Sequence, residues 1–144
     1  MNSLSNLFKK LDSLLEKKKS LKTLQKIVET YNGNDYLNYV KDNDKKYNRN
    51  TVFINENLEL VVITWLPNQH TTFHKHPKNG CIFKVLEGKI TENLINLNDD
   101  KINSIYQKND ISYIDNLIGI HKMNNNFNKR CISLHIYSPP FKKS

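Results

Sequence analysis

Apolar residues recur along this chain with two different periods. Leu4, Leu7, Phe8, Leu11, Leu14 and Leu15, then Leu21, Leu24, Ile27, Val28 and Tyr31, return every three or four positions, the spacing at which helical side chains share a face. The pattern predicts two helices that break near Lys19–Ser20, with Ser20 capping the second. Asn32-Gly33-Asn34 stops that second helix, and Asp35 to Val40 is expected to add one short helical turn. The lysine-rich patch from Glu16 to Lys19 reads as a solvated helix face. After Tyr47 the pattern changes to short β-type runs: Leu58 to Trp65, Cys81 to Leu86, Lys89 to Leu97, Ile111 to Ile114 and Cys131 to Tyr137. Turn signals separate them, among them Pro67-Asn68, Pro77-Lys78-Asn79-Gly80, Glu87-Gly88 and Asn98-Asp99-Asp100. Many short strands at this spacing predict a sandwich or a barrel.

At 144 residues the chain is long enough to bury a core without disulfides or a structural metal, and a single domain is expected. Two cysteines, Cys81 and Cys131, do not make a secreted disulfide framework. There is no apolar stretch behind Met1, and no run approaches the roughly 18 apolar residues that span a bilayer. These features predict a soluble, cytoplasmic protein with no membrane partner. The net charge of +8 raises nucleic-acid binding as an option. Arg49 and Arg130 are the only arginines among 22 basic residues, however, and the lysines are scattered through an Asn- and Ile-rich sequence. Arginine is the residue suited to bidentate phosphate recognition, so the expectation is no nucleic-acid partner.

The candidate chemistry begins at "TTFHKHPKNGC", residues 71 to 81. If Thr71 to His76 is extended, His74 and His76 emerge on one face and Lys75 on the other. Two imidazoles so placed are a natural pair of metal ligands, although the His-x-His pattern alone fits hydrogen-bonded surface histidines too. A third histidine, His121, follows Gly119-Ile120 in another β-like run. A fourth, His135, lies in the apolar strand Cys131 to Tyr137, where an unpartnered imidazole would be costly. On that strand Ser133, His135 and Tyr137 alternate to one face and can form a hydrogen-bonded row.

Three segments, "VVITWLPNQHTTFHKHPKNGCIFKVLEGKITE", "YIDNLIGIHKM" and "CISLHIYSPPF", resemble in order and spacing those of thiol dioxygenases of the cysteine dioxygenase family. The resemblance runs from about Tyr47 to Phe141. It implies a mainly β fold, a cupin-type double-stranded β-barrel (jelly roll) over residues 46–144, preceded by two or three helices in residues 1–45 that pack on it.

It further implies that His74, His76 and His121 hold a mononuclear Fe(II), with O2 as co-substrate. No Asp or Glu adjoins His74 or His76, so an all-histidine set is what the sequence offers, and zinc would tolerate the same ligands. Arg49, in "YNRN", falls where the family has the arginine that pairs with the carboxylate of cysteine; an ordinary ion pair is the alternative. Tyr47 matches a tyrosine lining the same end, against simple aromatic packing. Tyr137 matches the tyrosine next to the metal, with His135 orienting its hydroxyl. Cys81 matches the cysteine that some members link to that tyrosine, the alternative being a free buried thiol. The family pattern also carries a cis Ser-Pro bond, here Ser138-Pro139. Lys75 departs from the family's aspartate between the two histidines, and the chain's end at Ser144, soon after the proline pair, is expected to open the barrel edge or the pocket.

The expected function is an Fe(II)- and O2-dependent dioxygenase, working as a monomer, that oxidises free L-cysteine to cysteine sulfinate. A 3-mercaptopropionate-like thiol acid is the alternative substrate, and a non-catalytic cupin that binds a metal or small ligand is the alternative class.

Overall fold

A computed structural model describes residues 1–141; the opened edge expected from the chain end at Ser144 lies outside the described residues. Helix α1 spans Leu4–Glu16, and Ser3 caps it by accepting a hydrogen bond from the Asn6 amide at 3.0 Å. The second predicted helix is shorter than its periodicity suggests: a 3₁₀ turn at Leu21–Leu24 runs into α2 at Gln25–Glu29. Ser20 sits at the N-cap but makes no side-chain cap bond. Instead the Thr23 hydroxyl donates to the Ser20 carbonyl at 2.7 Å. Another 3₁₀ turn, Asp35–Tyr39, supplies the last expected helical turn. Among the described residues no helix is long and apolar enough to cross a membrane.

Eight strands follow: β1 Asn48–Ile54, β2 Glu59–Trp65, β3 Cys81–Glu87, β4 Lys89–Asn96, β5 Lys101–Gln107, β6 Ile111–Ile114, β7 Gly119–Asn124 and β8 Cys131–Tyr137. They form a five-stranded sheet in the order β1-β2-β8-β3-β6, facing a three-stranded sheet in the order β5-β4-β7, with every pairing antiparallel. This is the mainly β, two-sheet architecture expected of a cupin.

Strands β2 and β8 are buried along their whole length because both faces are covered. Leu60 and Val62 of β2, with Ile132, Leu134 and Ile136 of β8, point outward into a core shared with Leu4, Leu7 and Leu11 of α1 and Val28 of α2. The alternate residues Val61, Ile63, Trp65 and Tyr137 point inward, meeting Ile90 and Met123 of the opposite sheet. The amphipathic first helix therefore serves as a lid on the outer face of the larger sheet. The interior between the sheets is left for the polar residues described next.

One expectation about the backbone fails in an informative way. Thr71 to His76 is not a strand; it belongs to a loop between β2 and β3 that is pinned to β7 by the isolated bridges His70–Asn124 and His74–His121 and by bonds between Thr71 and Met123. Gly80 closes that loop with φ 88°, and a Cβ there would sit 2.5 Å from the Ile114 carbonyl oxygen. Only glycine fits this turn, which delivers Cys81 into β3.

Candidate metal centre

His74, His76 and His121 converge although they come from a loop and a strand. The backbones of His74 and His121 pair directly: the His74 amide donates to the His121 carbonyl at 3.0 Å, and the His121 amide returns a bond at 3.4 Å. Asn116 clamps His76 reciprocally, its Oδ1 accepting from the His76 amide at 2.8 Å and its Nδ2 donating to the His76 carbonyl at 2.9 Å. These contacts replace the strand alternation anticipated for the His-x-His pair. The three imidazoles each offer a nitrogen within 4.8 Å of the others.

The outer partners decide what those nitrogens carry. His74 Nδ1 lies 2.9 Å from the Thr72 carbonyl, which can only accept, so Nδ1 holds the proton. His121 Nδ1 lies 2.7 Å from Glu92 Oε2, and a carboxylate fixes the same tautomer. In the neutral form each of these rings presents a bare Nε2 lone pair, and the two nitrogens lie 3.1 Å apart. His76 Nε2 lies 2.9 Å from His121 Nε2, while its Nδ1 is buried without a partner. Burial, and then the neighbouring His121, push His74 down to about 4, so it stays neutral. The same two influences, with His74 added, push His76 down to about 2. In that form the facing lone pairs of His74 and His121 repel unless a cation lies between them, so the donor set fits a divalent metal that accepts nitrogen ligands.

Beside this cluster runs a buried polar chain with a fixed direction. The Trp65 indole, which only donates, gives its N–H to Ser133 Oγ at 2.8 Å. The Trp65 N–H takes one of the two Ser133 lone pairs, and the buried hydroxyl satisfies its own proton by donating to His135 Nε2, 2.8 Å away. That leaves His135 Nδ1 as a donor toward the Tyr137 hydroxyl at 3.4 Å. Burial drives His135 well below its ordinary value, so it remains neutral, and drives Tyr137 well above its own, so the phenol keeps its proton. Cys81 stands directly opposite Tyr137 across β3 and β8, with Sγ 3.9 Å from His135 Nδ1. Its thiol is free and buried, and burial raises its pKa.

Tyr47, Arg49, His74, His121, His135 and Tyr137 share a cavity of about 180 Å³. The carboxylate-binding candidates therefore face the metal-binding candidates. Tyr47 also stacks on Trp65 at 4.7 Å. Arg49 is engaged already: its two terminal nitrogens donate to Glu59 at 3.2 and 3.0 Å. Arg49 thus makes the ion pair given as the alternative, with a buried rather than a surface carboxylate, while also lining the cavity. Phe141 lies edge-on to His74 at 6.2 Å and against Tyr137 at 5.2 Å, closing one side.

Sequence reasoning missed Glu59, Glu92, Asn116 and the donor role of Trp65. Glu59 and Glu92 carried a usable signal. Each sits in register with inward-facing apolar neighbours, Val61 and Ile63 in one case, Ile90 and Leu94 in the other. A buried carboxylate at such a position needs a cationic or imidazole partner. Asn116 lies in a loop and left no periodic trace.

Solved structures with the same fold include a protein with a double-stranded β-helix domain from Klebsiella pneumoniae, at TM-score 0.61 and 20% identity over 71% of this chain and 84% of that one. A cupin superfamily protein from Desulfitobacterium hafniense matches at TM-score 0.59 and 10% identity over 74% and 90%. Among curated proteins, cysteine dioxygenase type 1 of Danio rerio is 28% identical over 96% of this chain and 76% of its own length. The Rattus norvegicus protein of the same name is 30% identical over 85% of this chain and 66% of its own length. The family model for cysteine dioxygenase type I matches residues 1–144, so the similarity includes the N-terminal helices as well as the barrel. The chain belongs to the cysteine dioxygenase type I family.

Proposed function

We propose that this chain is an iron(II)-dependent thiol dioxygenase that oxidises free L-cysteine to cysteine sulfinate. The observation that carries the reading is the pair of bare Nε2 lone pairs on His74 and His121, held 3.1 Å apart by outer partners that occupy both Nδ1 protons. When bound, the metal would supply a redox-active Lewis acid at which R–SH and O2 combine to R–SO2H, both oxygen atoms going to sulfur.

The protein's own residues supply orientation and proton control. Thr72 and Glu92 hold the rings of His74 and His121 in their ligating tautomers. The Trp65–Ser133–His135 chain presents an N–H to Tyr137, so the phenol oxygen is an acceptor on that side and its proton is free to point into the cavity. Tyr137 is thereby a hydrogen-bond donor to the reacting thiol or oxygen. Arg49 and Tyr47 occupy the end of the cavity suited to the substrate's carboxylate. Cys81 lies in register with Tyr137 across β3 and β8 and is our candidate for a thioether link to that ring, the thiol and ring C–H hydrogens leaving to O2 as oxidant. The free, buried Cys81 and Cys131 suit a reducing compartment, and we place the enzyme in the cytoplasm as a monomer with a small thiol, not nucleic acid, as its partner.

A second reading, a cupin that binds metal without turnover, is separated by one experiment. Purified protein is loaded anaerobically with iron(II), then given L-cysteine and air. Sulfinate formation matched by oxygen uptake supports the enzyme; metal retention with no oxygen consumed supports the binding module.

A further inference from the structure

Glu59 puts a buried charge among apolar neighbours of the barrel interior. It occupies the inward face of β2 in line with Val61, Ile63 and Trp65, its side chain only 4% exposed. Four donors converge on its carboxylate: Arg49 Nη1 at 3.2 Å and Thr51 Oγ1 at 2.6 Å on Oε2, Arg49 Nη2 at 3.0 Å and the Phe141 amide at 3.3 Å on Oε1. That is a complete cradle for one carboxylate, and the chain's own side chain fills it. The guanidinium is held over the rings of Tyr137 and Phe141, 5.2 and 5.7 Å from their centroids, at the edge of the cavity that also contains His74 and His121. Glu59 itself lines the adjoining cavity with His74, His76 and Phe141, so it stands between that cavity and the arginine.

An incoming carboxylate meets this arrangement in one of two ways. It can displace Glu59 from the fork, which strands a buried carboxylate without its cation. It can instead take the N–H groups of Arg49 that Glu59 leaves unused, and then two like charges share one guanidinium. Either route removes much of the advantage that an unoccupied arginine gives an acid over its neutral analogue. A thiol without an acid group encounters neither cost.

We propose that Glu59 sets the acid-group selectivity of this site: as a resident carboxylate in the Arg49 fork, it lets a 2-aminothiol lacking a carboxylate bind on near-equal terms with L-cysteine. The inference rests on the dioxygenase reading, because it takes the histidine cluster as the place where the thiol binds. It adds to that reading which class of thiol the pocket admits. Specificity here is a difference between two affinities, and Glu59 acts by penalising one of them.

The test is anaerobic titration calorimetry of the iron(II)-loaded full chain with L-cysteine and with 2-aminoethanethiol. For the native protein the two Kd values are expected to differ by less than about tenfold. Glu59→Gln keeps the shape and a hydrogen-bond acceptor but removes the charge. It is expected to shift the ratio toward L-cysteine by about tenfold or more, leaving the 2-aminoethanethiol value nearly unchanged. Steady-state kinetics should show the same shift in KM for L-cysteine, with kcat little altered. Thr51→Val, which removes one of the donors holding Glu59, should move the ratio the same way by a smaller factor, and it carries the test if Glu59→Gln does not fold. A native preference for L-cysteine above about a hundredfold, an unchanged ratio in both variants, or weaker L-cysteine binding in Glu59→Gln overturns the proposal. Failure of the native, metal-loaded protein to bind either thiol overturns the dioxygenase reading itself, a result distinct from an unchanged ratio.

Discussion

The indole N–H of Trp65 ends on the hydroxyl of Ser133, 2.8 Å away, and that bond biases the direction of the hydrogen bonds that follow it. Indole can only donate and so takes one Ser133 lone pair; the buried hydroxyl proton is then satisfied at His135 Nε2, which leaves Nδ1 with the proton offered to Tyr137. Trp65 never needs to touch the substrate to matter; it positions.

Trp65→Phe should therefore free the Ser133 hydroxyl to rotate and let His135 populate both tautomers. The expected result is a loss of about 10²-fold in kcat, the lower end of what a positioned proton-transfer group contributes, with KM changed much less. Imidazole ¹⁵N chemical shifts of His135 should move from the Nδ1–H pattern toward an average. A purely packing role for Trp65 would leave those shifts where they are.

Glu92 holds His121 by a 2.7 Å contact from the opposite side of the ring to its ligating nitrogen. Glu92→Gln keeps the shape but weakens the hold on the tautomer and lowers the basicity of Nε2. Metal affinity should fall about 10- to 100-fold, read by competition with a chromogenic chelator, while the fold remains intact by circular dichroism.

Arg49 and Glu59 make a buried pair, so breaking it from one side should cost more than removing it entirely. Arg49→Gln leaves the Glu59 carboxylate uncompensated and should destabilise the protein by about 3–5 kcal/mol at neutral pH; the double variant Arg49→Gln, Glu59→Gln should recover most of that. The pH dependence follows from the sign of the shift. Burial alone would raise the Glu59 pKa, but the bonds from Arg49 and Thr51 outweigh it and hold the value below the ordinary 4.5. The native protein thus has the full contribution of this group above about pH 4.5 and loses it as pH falls through the lowered value. Glu59→Gln should lack this acid-side loss, whereas Arg49→Gln, in which burial now dominates, should gain stability relative to the native protein as pH falls. Urea melts from pH 3 to 7 measure both.

How far the sequence could be read depended on whether a residue's role showed in periodicity. The β6 and β8 boundaries matched because each run is apolar and flanked by turn residues. Strand β5, Lys101–Gln107, lies at the edge of its sheet, with Lys101, Ile102 and Asn103 all exposed, so it has no alternation to detect. The three histidines expected to cluster do converge, but the reason given for the first two, a shared strand face, was not the one the chain uses. Their convergence depends on backbone pairing between His74 and His121 and on the Asn116 clamp, both contacts between positions distant in sequence. Arg49 was legible as a rare arginine; its partner Glu59 was not, because nothing local to "NLELVV" says which cation lies across the sheet.

Leu7 tests whether the helical segment and the barrel behave as one cooperative unit. It is fully buried and shares its core with Leu60, Leu134 and Ile136. Leu7→Ala should cost about 2–5 kcal/mol, with loss of helical and near-ultraviolet signals in a single coincident transition. Two separated transitions would show that the helices unfold independently.

Strand β8 gives that unit a consequence for activity. Its even-numbered residues, Ile132, Leu134 and Ile136, grip the N-terminal helices, while the odd-numbered Ser133, His135 and Tyr137 form the hydrogen-bonded row beside the histidine cluster. Leverage on one side of such a ribbon reaches the other across a single peptide unit. Substitutions beneath the helices, remote from any substrate, are therefore a route to tuning turnover, and selection for a tighter helical cap would act on the reaction through the same seven residues.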